Sequence, residues 1–339
     1  MQRKIVAGLV GLILASSAAG QDIKKLRLGE GLVGDRPDVA TLKGHAVFVE
    51  LWGVHCAPCL ASMPHLVQWH NELGDFGLIM IGCHVQNVPE NEIQRKVEAM
   101  GVRFPITKGG RYEGDEESGI PRSFLFDHNG DLIWRGHPKD AEEKIRAAVG
   151  EALVESAGAT LPHRSIKPFV DDLKKGKPPL QLLQKLLPIS KGSDEGGQQA
   201  KYLVDKMLEN GQRRFDQAKA ELKDDPVAAF DTTLRLSQSF KGTPLAQQAT
   251  ETMNKLRADK RVVAELRARP MLESLKKLDA ALVASARDQD PKSAEFKKAF
   301  ATPLKQMTTT LQKMNRDYPD AKATKEAQQI GEKYEIALK

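Results

Sequence analysis

A short apolar run leading into two cysteines at the start of a helical pattern restricts this chain more than any other feature. Ala46 to Leu51 reads AVFVEL, a buried strand carrying one acid, Glu50. The residues WGVHCAPCLASMPHLVQWHNELG follow, and from Cys59 onward Leu60, Met63, Leu66, Val67 and Leu73 recur at helical spacings. The Cys-x-x-Cys pair therefore sits where a strand ends and a helix begins. Unpaired N–H groups and the positive end of the helix stabilise a thiolate on Cys56, lowering its pKa below about 8.5 and making it reactive near neutrality. Ala57 and Pro58 let Cys56 and Cys59 alternate between dithiol and disulfide, and Pro58 fits a first turn because its missing N–H would be unpaired there. Two other chemistries use the same residues. One is a zinc or copper site with His55 and His65, although no second ligand pair at finger spacing follows and only Cys83 with His84 remains; the other is an inert structural disulfide.

The surroundings favour the redox pair. FGLIMIGCHV is a second buried strand whose end holds Cys83 as a core thiol, PENEIQRKVEAMG is a helix, and VRFPIT is a short strand. After the loop GGRYEGDEESG, the stretch GIPRSFLFDHNGDLIWRG supplies two strands around the Asn129-Gly130 turn, and AEEKIRAAVGEALVE closes with a helix. A β-α-β-α-β-β-α order implies a central sheet covered by helices. The segment before it, RLGEGLVGDRPDVATLKG, is polar and rich in turn residues.

The chain also opens on a targeting pattern. Arg3 and Lys4 precede the apolar run Ile5 to Ala15, and SSAAG follows, so residues 1–20 have the layout of a secretory signal peptide with cleavage after Ala19 or Gly20. The run is too short for an ordinary spanning helix, so no stable transmembrane anchor is expected after processing, and the location is periplasmic or secreted.

Taken together, E50-L-W52-G-V-H-C56-A-P-C59 with Pro64, the G119-I120-P121 triplet and the F-L-F-D-x-N-G hairpin resemble the thioredoxin superfamily, and within it the extracytoplasmic TlpA/ResA-type thiol–disulfide oxidoreductases. The resemblance covers roughly residues 22–155. It implies an α/β thioredoxin-like fold, a central mixed sheet flanked by helices, with Cys56 as attacking thiol, Cys59 as resolving thiol and a Cys56–Cys59 disulfide. It makes Pro121 a cis-proline facing the pair, with the Ile120 backbone ready to meet an extended substrate. Glu50 occupies the family's buried acidic position, where a raised pKa would let it take the Cys59 proton. Trp52, His55, Pro58 and Ile120 are the candidate substrate contacts. His55 departs from the pattern, which has tryptophan before the first cysteine, and an imidazolium beside a thiolate pushes toward oxidant behaviour. Ile120, Glu50 and Pro58 push the other way, toward a reductant. No metal or cofactor is expected; the partners are protein thiols and disulfides and an upstream redox donor.

The rest of the chain differs in kind. Residues 1–153 hold 17 Lys/Arg and 20 Asp/Glu, residues 154–339 hold 34 and 25, and all cysteines and tryptophans lie in the first part. Gly158 and Pro162 interrupt the helical periodicity, so residues 156–165 read as a linker to a helical domain over 166–339. Six or seven amphipathic stretches bounded by Pro or Gly imply an all-α domain of helical hairpins. F240-K-G-T-P-L-A-Q-Q-A249 aligns with Y318-P-D-A-K-A-T-K-E-A327, similar to the inter-helix corner of tetratricopeptide-like repeats. Lys and Arg alternate with acids at helical spacings and no nucleic-acid motif accompanies them, so the basic balance reads as solvated helix faces, with a docking surface for acidic protein or anionic envelope lipid as the alternative, and not as a nucleic-acid site. Two competing functions remain at this level. One is a non-catalytic secreted adaptor that binds partners through its helices; the other is a peroxiredoxin-like peroxidase, whose threonine three residues before the reactive cysteine is here Gly53.

Overall fold

The computed structural model describes residues 22–159, 161–286 and 289–337. The leader expected over residues 1–20 lies outside them. Six strands, β1 (Leu26–Val33), β2 (Val47–Trp52), β3 (Ile79–His84), β4 (Ile106–Tyr112), β5 (Arg122–Phe126) and β6 (Leu132–Gly136), form one mixed sheet in the order β1-β4-β3-β2-β5-β6. The apolar run that ends in the cysteines is β2, parallel to β3 and antiparallel to β5 at the centre of the sheet. Helices α1 (Ala57–Leu73) and α2 (Glu90–Ala99) carry the chain from β2 to β3 and from β3 to β4. Both crossovers step the same way across the sheet, so right-handed connections put both helices on one face. Alternation along β2 follows: Phe48 and Trp52 face α1 and α3 (Glu142–Ser156), while Val47 and Val49 face Ile23, Leu26 and Leu42 on the other side.

The turn-rich approach contains a strand. β1 pairs antiparallel with β4, and β4 itself continues through residues read as loop, to Tyr112. Glycines that look like turn signals are sites of close approach: a Cβ on Gly29 would sit 2.0 Å from the Lys108 carbonyl oxygen, and one on Gly110 would sit 2.6 Å from Cys83 Sγ.

The remaining described residues hold nine helices: α4 (Lys167–Lys174), α5 (Pro179–Ile189), α6 (Glu195–Ala220), α7 (Pro226–Ser239), α8 (Pro244–Leu256), α9 (Lys260–Ala286), α10 (Ala294–Ala299), α11 (Ala301–Asp317) and α12 (Lys322–Lys333). The count exceeds the expected six or seven because α4 follows directly on the expected linker and Phe300 splits α10 from α11. At Pro270 the opposite happens. A proline costs an interior helix position about 3 kcal/mol, yet α9 runs through it with Ala268 and Leu272 buried on either side. The two aligned corners do share a geometry. Phe240 N–H bonds the Leu236 carbonyl and Thr243 N–H the Phe240 carbonyl, as Tyr318 does to Met314 and Ala321 to Tyr318, and Ala249 and Ala327 are both fully buried.

Packing divides the molecule differently from the charge count. One apolar core runs from Phe48 and Trp52 through Leu66 and Leu73 on α1 into Val170, Leu183, Met207 and Phe240 of α4 to α7's end, without a break at residues 156–165, where Ala159 and Ile166 belong to it. A second core lies among α9 to α12, around Leu275, Met307, Leu311 and Met314. Polar bonds fasten α1 to the helices. Asp75, just after α1, is 1% exposed and accepts two hydrogen bonds from the Arg235 guanidinium at 2.8 and 3.0 Å, with Arg214 Nε at 3.6 Å. Arg214 also meets His70 Nε2 at 3.0 Å. Burial and the surrounding arginines hold the His70 imidazole well below its usual pKa, so it stays neutral and accepts that bond.

Candidate functional site

The C-terminal end of β2 carries the chain out of the middle of the sheet, and the residues after it are held by the end of β3 and the turn beyond it. Val54 N–H donates to His84 Nε2 at 3.2 Å, and His55 N–H to Gln86 Oε1 at 2.9 Å. A Cβ on Gly53 would meet the Gln86 amide at 2.2 Å, so a glycine is what lets Gln86 reach over this segment. A threonine there, as the peroxidase reading requires, would displace that amide. The sequence offers His84 only as a possible metal ligand beside Cys83, and Gln86 does not stand out in it; the available signal is that both lie at or just past the end of the strand adjacent to the cysteine loop.

Cys56 is the N-cap of α1, with extended backbone, and its Sγ accepts from Cys59 N–H at 3.2 Å. Ala57 and Pro58 fill the first helical positions, both exposed, and Ser62 Oγ donates to the Pro58 carbonyl at 3.0 Å. Cys56 and Cys59 are joined as a disulfide. Cys56 is 8% exposed and Cys59 1%, so the first sulfur is the one a partner can reach. The Ile120–Pro121 peptide is cis, and it brings the Ile120 carbonyl oxygen to 3.6 Å from Cys56 Sγ.

Glu50 is central in the sheet. It is 1% exposed and pairs in register with Ser123 of β5, whose hydroxyl donates to Oε2; Oε1 has no partner among the described residues. Burial raises its pKa from an ordinary 4.5 to about 8, with the Ser123 bond opposing the rise. By strand alternation it points to the face that α1 and Cys59 cover.

Trp52 is placed otherwise than expected. It is fully buried, with its ring edge-on to His84 at 5.1 Å, and supports the site from beneath instead of touching a substrate. The His55 ring points outward, its Nε2 3.2 Å from Glu92 Oε1 on α2. Cys83 belongs to the opposite face of the sheet, fully buried, and burial raises its thiol to about 11, so it is neither close to the disulfide nor ionised near neutrality.

A cis-proline loop set against a disulfide at the N-terminus of the helix that follows the central strand decides the architecture. The sheet-bearing part is a thioredoxin-like fold. An all-α region, α4 to α12, follows it. No family model matches the chain. The sequence is similar to the thiol-disulfide oxidoreductase ResA of Halalkalibacterium halodurans, 31% identical over 107 residues that cover 31% of this chain and 60% of that protein. It is also similar to ResA of Bacillus anthracis, 27% identical over 140 residues, 38% of this chain and 80% of that one. Among solved structures, a thioredoxin-family thiol:disulfide interchange protein from Chlorobium tepidum aligns at 22% identity over 37% of this chain and 93% of its own, with a TM-score of 0.33. The chain thus spans 60% of the length of the first of these relatives, and each of the three covers well under half of this chain. A cysteine pair at this place in a thioredoxin-like fold is a redox-capable pair.

Proposed function

We propose that this protein is an extracytoplasmic thiol–disulfide oxidoreductase that acts mainly as a reductant of protein disulfides. The observation that carries the reading is the Cys56 sulfur at the helix N-terminus, 3.6 Å from the Ile120 carbonyl at a cis-proline. In the reduced protein the Cys56 thiolate attacks one sulfur of a partner disulfide. That S–S bond breaks, the other partner sulfur leaves as a thiolate and takes a proton, and a mixed disulfide remains. Cys59 gives its proton to ionised Glu50 and attacks Cys56 Sγ, releasing the second partner thiol and restoring Cys56–Cys59. Two electrons pass to the partner, and an upstream dithiol donor returns them. Pro58 and Ile120 line the approach; Pro121 fixes the loop that meets the substrate backbone.

Location outside the cytoplasm is supported by the pattern of residues 1–20. No helix among the described residues is long and apolar enough to cross a membrane. We further propose that the chain is organised as a catalytic part over 22–155, a junction at 156–165 and a helical part over 166–339 used for partner docking. The reductant direction is supported by His55. Its ring is 63% exposed, with Nε2 3.2 Å from Glu92 Oε1, and electrostatic interactions at so solvated a position are weak.

Equilibration of the full chain with glutathione buffers tests this reading. The expected potential lies nearer to about −270 mV, the thioredoxin value, than to about −120 mV, the value of a strong oxidant. A protein whose cysteines do not exchange with glutathione at all is the passive adaptor; one poised near the oxidant value reverses the assigned direction.

Glu50 supplies a second test. Its folded pKa of about 8 exceeds the ordinary 4.5, so the native state keeps a proton that the unfolded chain gives up. That contribution to stability is whole below about 4.5 and is lost as the pH rises through about 8. Glu50→Gln is expected to remove an inflection near pH 8 from the rate of disulfide reduction. It is also expected to abolish most of the loss of stability between pH 6 and pH 9 measured by urea unfolding. An unchanged pH–rate profile would exclude Glu50 as the proton acceptor.

A further inference from the structure

β5 is buried from end to end, yet it opens on a charge: Arg122, the residue directly after Pro121, is 6% exposed. It pairs in register with Leu51, and its guanidinium carbon lies 5.8 Å from the centre of the Phe124 ring. Leu51 and Phe124 belong to the core on the face of the sheet away from Cys56 and Cys59, so the Arg122 side chain points there too. A buried cation needs partners. Both come from the loop that ends at Pro121: Arg122 Nη2 donates to Asp115 Oδ1, and Nη1 lies 3.1 Å from Glu117 Oε2. The Asp115 side chain is itself enclosed, and Arg135 Nη1 of β6 is also 3.4 Å from its Oδ1.

Little else fixes this loop. Glu113 N–H donates to the Lys25 carbonyl and Asp115 N–H to the Tyr112 carbonyl, but among the described residues no backbone hydrogen bond holds residues 116–119. The Arg122 guanidinium therefore ties the first residue after the loop to two residues inside it, and residues 115–122 become a closed ring. That ring presents the Ile120 carbonyl, 3.6 Å from Cys56 Sγ. Because Arg122 lies under the other face of the sheet, it acts through the loop and not on the sulfurs.

We propose that Arg122, through Asp115, is a positioning residue of the exchange site: it holds the Ile120–Pro121 segment against Cys56, so that a disulfide within an extended polypeptide meets a fixed backbone acceptor beside the reactive sulfur. A small disulfide needs the sulfur alone. The inference rests on the reading of Cys56 and Cys59 as an exchange pair.

Single-turnover reduction by the pre-reduced full chain tests it, with rising concentrations of an extended peptide carrying one disulfide and, separately, of hydroxyethyl disulfide. Asp115→Asn is expected to raise the half-saturating peptide concentration about tenfold, within the roughly hundredfold that about 1 Å of misplacement can cost. The rate on hydroxyethyl disulfide and the circular dichroism stay at wild-type values. R122M, apolar and of similar reach over Phe124, shows the same split. R122K shows it more weakly, because one ammonium meets one carboxylate where the guanidinium fork meets two. Where R122M does not fold, Asp115→Asn decides. If Asp115→Asn matches wild type on both substrates, or slows both in equal proportion, the positioning role is overturned and the exchange reading stands. A wild-type protein that reduces neither substrate overturns the exchange reading and this inference with it.

Discussion

Cys56→Ser is expected to lower disulfide exchange by on the order of 10³-fold or more, the scale seen when a nucleophile is deleted, while Cys59→Ser stops one step later as a trapped mixed disulfide. The asymmetry follows from position. Cys56 caps α1, takes the Cys59 N–H at 3.2 Å and is the more exposed of the two sulfurs. A serine there has the same hydrogen bond but no ionised sulfur near neutrality, so the first attack does not occur. Cys59 is fully enclosed, and its task is to attack Cys56 from inside. With serine in its place the first attack proceeds and the partner stays bound through Cys56. Mass spectrometry after mixing with a disulfide peptide reads both outcomes. A mixed disulfide trapped on Cys59 in the Cys56→Ser protein would reverse the order of attack.

Asp75→Ala is expected to cost about 3–5 kcal/mol of folding stability, a loss typical of breaking a buried ion pair from one side. Asp75 is the carboxylate that faces two arginines from two helices, Arg235 on α7 at 2.8 and 3.0 Å and Arg214 on α6 at 3.6 Å. Removing it leaves the Arg235 charge partly buried beside Asn71, which reaches only one of its nitrogens at 3.4 Å. Arg235→Ala should cost less, because Arg214 remains to face Asp75. Urea unfolding followed by far-ultraviolet circular dichroism measures both. Equal, small effects for the two variants would mean that the pair is dispensable and that the shared apolar core alone holds α6 and α7 against α1.

Much of the site was legible in the sequence because its signals are local. The apolar run before the cysteines, the helical spacing after them and the Asn129-Gly130 turn lie within short windows, and they correspond to β2, α1 and the β5–β6 hairpin. Glu50 could be read as a buried acid because every neighbour in its strand is apolar. Other features could not be read this way because their causes are distant in sequence. Gly29 is small to make room for the Lys108 carbonyl, some eighty positions away, and looks like a turn residue from its own neighbourhood. His84 and Gln86 support the cysteine loop across the gap between two strand ends. Trp52 reads as a substrate contact from its place in the motif, but the motif does not show that the ring is enclosed on the cysteine-bearing face, edge-on to His84. The continuity of the core past residues 156–165 depends on Ile166, Val170 and Leu173, whose spacing is helical but sits in a stretch that Gly158 and Pro162 make look like a hinge.

The parity of β3 also determines how many electrons the chain can hold. Cys83 lies on β3, the neighbour of the site strand, at a position of the wrong parity to share the face of Cys56 and Cys59, and its sulfur is shut in against Gly110. If Cys56 and Cys59 exchange as proposed, the folded protein offers a partner only that pair and a turnover of two electrons, with the enclosed Cys83 out of reach. An odd cysteine can scramble a neighbouring disulfide, and here the sheet itself is the insulator.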